Sequence, residues 1–288
     1  MARAVVFDID GLSIRSVGAY GNVETPTPLL NEFASQAALF EQHYRSATGS
    51  NQDRDAILAA FALDDAARVV LLADNATEST FPCEVFQSPD ELAGLMERHL
   101  EPEAAVVWVR ISGAVDEPDS VFPLSLVAAL VEQNVLVAVT SANPEPDANP
   151  VCVTNEGLMR TPLMVWTGEP SRIQKVTSST MLDEIMLAPL VTEATGEDAF
   201  ALIASEERLA LREADSMLVV ARKFLSETID VADDVLSDHI DVSGDTMQVF
   251  RKPDDVWNVH NVLVEEPSKG VEMLIRLRTT LAAGQGDE

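Results

Sequence analysis

The chain is short of the residues that most often announce chemistry. Four histidines (His43, His99, His239 and His260) are scattered through 288 residues, without the spacing of a metal-ligand cluster. Two cysteines, Cys83 and Cys152, could pair, but nothing demands it, and so few suit a reduced, intracellular protein. There is no phosphate loop and no GxGxxG turn, which removes the commonest nucleotide-binding signatures. Basic residues are scarce: 19 Lys and Arg stand against 48 Asp and Glu, for a net charge of −29. That charge serves solubility and repels nucleic acid and anionic membrane surfaces, so neither is expected as a partner. It also disfavours a polyanionic substrate unless a local basic cluster overrides it. The most apolar window, 121–142, contains Glu132, Gln133 and Asn134, so it reads as helix then strand and not as a membrane span. Met1-Ala2-Arg3 leads straight into an apolar strand with no secretory-signal pattern, and the expectation is a cytoplasmic protein.

What is present is apolar and periodic. Hydrophobic residues make up 47% of the chain, enough for a sizeable core in one large α/β domain or a domain with a smaller lobe. Buried-looking strands are expected at residues 3–9, 67–74, 104–112, 135–142 and 161–168, with a short strand in "ALFEQHY". Helical spacing over 27–38 puts Leu30, Phe33, Ala34 and Ala37 on one face, and further helices are expected over 51–62, 88–100 and "VFPLSLVAALVEQN". Ser88, Pro89 and the acidic residues after them form a helix start. This alternation predicts an α/β sandwich with a mostly parallel sheet over residues 1–195. Past 195 the strands shorten ("LALRE", "SMLVVAR", "TMQVFRK"), an acidic stretch covers 226–245, and a last helix covers about 268–282. Residues 196–288 therefore read as a small antiparallel subdomain closed by a helix, with a disordered tail.

The chemistry question begins at "AVVFDIDGLSI", where an apolar run ends in Asp8-Ile9-Asp10-Gly11. Two aspartates one residue apart resemble the nucleophile and general acid of the haloacid dehalogenase-like phosphatases. In that arrangement Asp8 attacks, "VAVTSA" supplies a Ser or Thr, Lys223 a lysine and Asp233/Asp234 a late acidic pair. Each of those pieces is short and common.

A second resemblance covers far more chain. Asp10, Leu12, Gly18-Ala19-Tyr20-Gly21, Thr27-Pro28-Leu29-Leu30, Phe40 and Tyr44 follow one another as in the opening of the sulfatases, in the alkaline phosphatase-like superfamily. "NVLVAVTSAN", "RTPLMVWTGEPSR", "DEIMLAPLVTEATG", "ALREADSMLVV" and "VFRKPDDVWNVHNV" resemble later blocks of that family, in family order. The resemblance implies an alkaline phosphatase/sulfatase-like sandwich with a mostly parallel central sheet and a small C-terminal antiparallel subdomain. It places Ser50 at the nucleophile position, in Ser50-Asn51-Gln52-Asp53-Arg54 against the family's Cys/Ser-x-Pro-x-Arg, and Asp10 and Asn143 at metal-ligand positions.

The same resemblance exposes losses. Gly11 stands where many members have a second Asp, and Ala142 replaces a late Asp. Arg110 falls at or near the position of the family's central-strand His, and Gln52 replaces the motif proline. Asp10 and Asn143 are a poor calcium set, since calcium takes six to eight oxygens with several charges. Asp8 shares the side of an extended strand with Asp10 and is a conceivable substitute ligand. Plainer roles stand beside each assignment. Ser50 with Asp53 is close to a capping box, Arg54 suits either an anion site at that helix start or a surface pair with a neighbouring Asp, Asp10 suits a strand-end carboxylate bonding loop amides, and Asn143 a turn before Pro144. An unmodified serine is also a weak nucleophile without a base or metal. The expectation is a sulfatase-like protein that does not catalyse, with a binding or regulatory role and a protein partner or a second copy of itself. Calcium would be its cofactor only if the metal site worked. The alternatives are an active sulfate or phosphate ester hydrolase using Ser50, Arg54 and Asp10, and the phosphatase using Asp8.

Overall fold

The computed structural model describes residues 3–24, 26–46, 54–55, 57–58, 68–75, 79, 81, 83–100, 105–112, 121–141, 159–178, 182, 200–205, 207–229, 231–233, 235–236, 240, 246–252 and 260–284. The chain forms two compact units. The first comprises Met1–Arg45, Gly49–Ala148 and Arg160–Glu197; the second comprises Ser46–Thr48, Asn149–Met159 and Asp198–Glu288.

The first unit is built on β1 (Ala4–Ile9), an apolar run whose six residues are all buried. Such a run suits a strand covered on both faces. It lies at the centre of an eight-stranded sheet, between β5 (Ala105–Ile111) and β6 (Leu136–Thr140), and is parallel to both. Outward from β5 come β3 (Arg68–Ala73) and β4 (Cys83–Val85), both parallel. Outward from β6 come β7 (Leu163–Trp166), antiparallel, then β2 (Ala37–Tyr44) and β8 (Ser171–Ser178). The period-2 alternation of a strand divides the core. Val5, Phe7 and Ile9 face helices α1 (Pro28–Ala34), α2 (Pro89–Leu100) and α3 (Leu124–Glu132) through Leu30, Phe33, Met96 and Val127. Ala4 and Val6 face the other side with Trp108, Leu71, Ile57 and Leu58.

The expected elements hold with local adjustments. Helix α1 stops at Ala34, and Ala37 already opens β2. Strands β4 and β8 were not expected. The first is three residues long, and the second ("SRIQKVTS") is a polar sheet edge with no apolar run to mark it. Residues 54, 55, 57 and 58 are helical, and the rest of the 51–62 helix lies outside the described residues.

Much of the stretch that carried the sulfatase resemblance is scaffold. Gly18 N–H donates to Thr27 Oγ1 at 2.8 Å, which ties the turn at Gly18–Tyr20 to the start of α1. A Cβ at Gly18 would come within 2.6 Å of Asn31 Nδ2, so any side chain there has to displace the Asn31 amide. The Tyr20 hydroxyl donates to Leu163 O at 2.7 Å and accepts from Leu163 N–H at 3.0 Å, which pins the turn to β7. Burial pushes that phenol's pKa above its ordinary value, so it stays a neutral donor.

His43 in β2 is buried, with Nδ1 3.0 Å from Thr177 Oγ1 in β8. Desolvation lowers its pKa from 6.5 to about 3. The folded protein thus holds His43 neutral, while the unfolded chain takes up a proton below its ordinary pKa. Stability is full above that value and is lost as pH falls toward the folded one. Between pH 7.5 and pH 5 this group is expected to remove about 2 kcal/mol. Urea titrations of wild type and His43→Gln at both pH values test it: the wild type should lose that much more than the variant.

The second unit holds a four-stranded antiparallel sheet in the order β12-β11-β10-β9. Its strands are β9 (Ala201–Ala204), β10 (Arg208–Arg212), β11 (Ser216–Ala221) and β12 (Met247–Arg251). Helix α4 (Arg222–Thr228) follows β11 directly, and α5 (Pro267–Gly284) closes the unit. Leu211, Leu218 and Val249 of the sheet form one core with Met273, Leu274 and Leu277 of α5. Strand β9 and helix α4 were missed, the first for its four residues and the second because no turn signal separates it from β11.

Candidate functional site

The C-terminal ends of β1, β5 and β3 carry the polar groups of interest, at the edge where open α/β sheets bind ligands. Asp8 pairs in register with Arg110, and Arg110 with Ala73 just before Asp74. The alternation that sends Ala4, Val6 and Trp108 to one face sends Asp8, Asp10 and Arg110 to it as well. The side-chain geometry follows from this register.

The Arg110 guanidinium forks onto a single oxygen of Asp10. Nε donates to Asp10 Oδ2 at 3.0 Å and Nη2 donates to the same oxygen at 2.5 Å. Both side chains are largely buried, 16% and 12% exposed. Partial desolvation works to lower the arginine's pKa, but the hydrogen bond it donates to Asp10 and the charges of Asp10, Asp8 and Asp74 outweigh it and raise it. The guanidinium is therefore charged wherever the protein is folded. Asp10 Oδ1 is buried and has no hydrogen-bond partner. Asp10 thus bonds an arginine side chain where its plainer expected role was to bond loop amides.

The neighbours are engaged too. Trp108 Nε1–H donates to Asp8 Oδ2 at 3.1 Å, and Asp8 is 1% exposed. Ser112 donates to Asp74 from its backbone N–H at 2.7 Å and from its hydroxyl at 2.8 Å. Gly11 has φ +82, a left-handed conformation that favours glycine and strains other residues.

Of the other expected site residues, Arg54 is described and Ser50 and Asn143 lie outside the described residues. Arg54 is 1% exposed and bonds Asp55 Oδ1 from Nε at 3.2 Å and Nη2 at 3.1 Å. The neighbouring-Asp pair is present, but buried and not on the surface. Ser79 Oγ donates to the same Asp55 oxygen at 3.0 Å.

In the phosphatase arrangement Asp8 would be the nucleophile; here it is 1% exposed and accepts from the Trp108 indole. Lys223 and Asp233 belong to the second unit, where Arg278 Nη1 donates to Asp233 Oδ1 at 3.2 Å.

Calcium can be tested against the donors present. Asp10 offers one oxygen already committed to a cation and one without a partner. Asp8 and Asp74 spend oxygens on Trp108 and Ser112. Among the described residues no three His, Cys, Asp or Glu side chains group to hold a metal ion. With Arg110 bonded to Asp10, the described donors do not fit an ion that takes six to eight oxygens. Sequence reasoning noted Arg110 only as a lost histidine and missed Trp108 and Asp74. The available signal was "LLAD", a carboxylate ending a buried strand.

Comparison with solved structures decides the architecture. A protein in complex with its substrate D-glucosamine-2-N,6-O-disulfate superposes with a TM-score of 0.67 at 9% identity, over 100% of this chain and 99% of that one. The chain has the alkaline phosphatase/sulfatase fold. A 2-O GAG sulfatase matches this chain with a TM-score of 0.63 at 10% identity, over 99% of it and 93% of the other. An alkaline phosphatase superfamily protein from Vibrio parahaemolyticus matches at 0.57 and 12%, over 76% and 77%. No family model matches the chain. No curated protein matches it. Among its described residues no helix is long and apolar enough to cross a membrane.

Proposed function

We propose that this sulfatase-like protein does not hydrolyse sulfate or phosphate esters, and that it works by binding, with a protein partner or a second copy of the chain as its target. One observation carries the proposal. The Arg110 guanidinium is forked onto Asp10 Oδ2, at the position where the sulfatase resemblance puts a metal ligand. Hydrolysis of a sulfate ester needs charge stabilisation at the sulfate and at the nucleophile. Here the positive charge at the end of β1 is already neutralised by the carboxylate it touches. The turn at Gly11, with φ +82, supports the same conclusion, because a second carboxylate there would be strained.

The test is turnover of 4-nitrophenyl sulfate, 4-nitrophenyl phosphate and a phosphonate monoester, with and without calcium, by wild type and Ser50→Ala. The two proteins are expected to give the same background rate on all three. Turnover in wild type that Ser50→Ala abolishes would establish the active hydrolase, with Ser50 as nucleophile beside Arg54.

A further inference from the structure

Resting on the non-hydrolytic reading above, we infer that Arg110 is a built-in replacement for a divalent cation, a side chain whose charge holds the carboxylate-bearing ends of β1, β5 and β3 together. Three aspartates converge there on adjacent strands. Asp8 is in register with Arg110, Asp10 accepts two bonds from its guanidinium, and Asp74 follows the residue paired with it. Burying such like charges close together is unfavourable without a counter-charge. In a chain of net charge −29 the repulsion is not relieved by the wider field. Arg110 lies between them, and Asp10, Asp8 and Asp74 all stabilise its positive charge.

The geometry explains why arginine and calcium exclude one another. Both donating nitrogens converge on the same oxygen, Asp10 Oδ2. An ion bonded to that oxygen would meet a guanidinium that does not lose its proton. Asp10 Oδ1, buried and without a partner, is the acceptor left over. Removing the guanidinium would free Asp10 Oδ2 beside the already unbonded Oδ1 and leave a negative site without its cation.

The experiment is thermal unfolding of the full chain in matched concentrations of CaCl2 and MgCl2 at constant ionic strength, so that general screening of an acidic protein cancels. Wild type is expected to respond equally to the two salts and not to respond to EGTA. Arg110→Gln is expected to lower Tm by about 5 °C. Calcium, in excess of magnesium, should recover at least half of that loss. The double variant Asp10→Asn/Arg110→Gln removes both charges and should lose the calcium-specific response. A calcium-specific rise in wild type, or an Arg110→Gln variant that calcium does not recover, would overturn the inference. Should Arg110→Gln not fold, Arg110→Lys serves: with the charge kept it should stay indifferent to calcium, and a calcium-specific rise in that variant overturns the inference. Turnover without a calcium response would defeat the proposed function and leave this inference standing, so the two fail separately.

Discussion

Trp108→Ala is expected to destabilise the first unit by about 4 kcal/mol, the largest effect of any substitution considered. Trp108 is fully buried at the centre of β5, between Leu71 of β3 and Val6 of β1. Truncation opens a cavity that two flanking strands cannot close, since the packed sheet fixes their spacing. It also withdraws the indole N–H that donates to Asp8 Oδ2 at 3.1 Å. Trp108→Phe separates the two contributions, because it keeps most of the volume and removes the donor. Its cost is expected at about 2 kcal/mol, the charge-assisted bond and the partly unsatisfied carboxylate together. Urea titrations followed by far-UV circular dichroism should show this order. Equal costs for the two variants would mean that the hydrogen bond, and not packing, dominates.

Glu213→Ala is expected to cost about 3 kcal/mol in the second unit, the low end for breaking a buried ion pair. Glu213 opens the β10–β11 turn with its side chain 11% exposed. Lys269 Nζ donates to its Oε2 at 3.3 Å and Arg276 Nη1 to its Oε1 at 3.0 Å, both from α5. Ser216 Oγ donates to Oε2 at 3.2 Å. One carboxylate thus holds the closing helix to the sheet; without it Lys269 keeps Asp215 and Glu272 at 4.0 Å, and Arg276 keeps its stacking over Phe200. The lysine and arginine are 26% and 30% exposed, so water softens the loss. A Glu213/Arg276 double-mutant cycle checks it: coupling well below about 1 kcal/mol would assign the loss to packing.

The fold was legible because its central strands are apolar on both faces. "AVVFDI", "VVLLA" and "AVVWVRI" became β1, β3 and β5 in the order their burial demands. The motif residues were legible for a related reason. Gly18, Tyr20 and Thr27 build one turn, and that turn needs those atoms whatever chemistry the sheet edge carries. Strand β8 was not legible, since its buried residues include the polar Thr177 and Ser178 beside Ile173 and Val176, so it carries no apolar run. The pairing at the site was hidden for a different reason. Asp10 and Arg110 are 100 residues apart, and only the parallel register of β1 with β5 brings them together. From sequence Arg110 was a missing histidine. In the fold it is a cation beside the residue most resembling a metal ligand.

The central claim is that this arginine closes the end of β1 to calcium. Equilibrium dialysis of wild type and Asp10→Asn against 1 mM calcium tests it most directly, because the variant carries the same diffuse negative charge apart from one carboxylate. The account predicts the same number of bound calcium ions for both proteins. One additional ion per chain in wild type would contradict it.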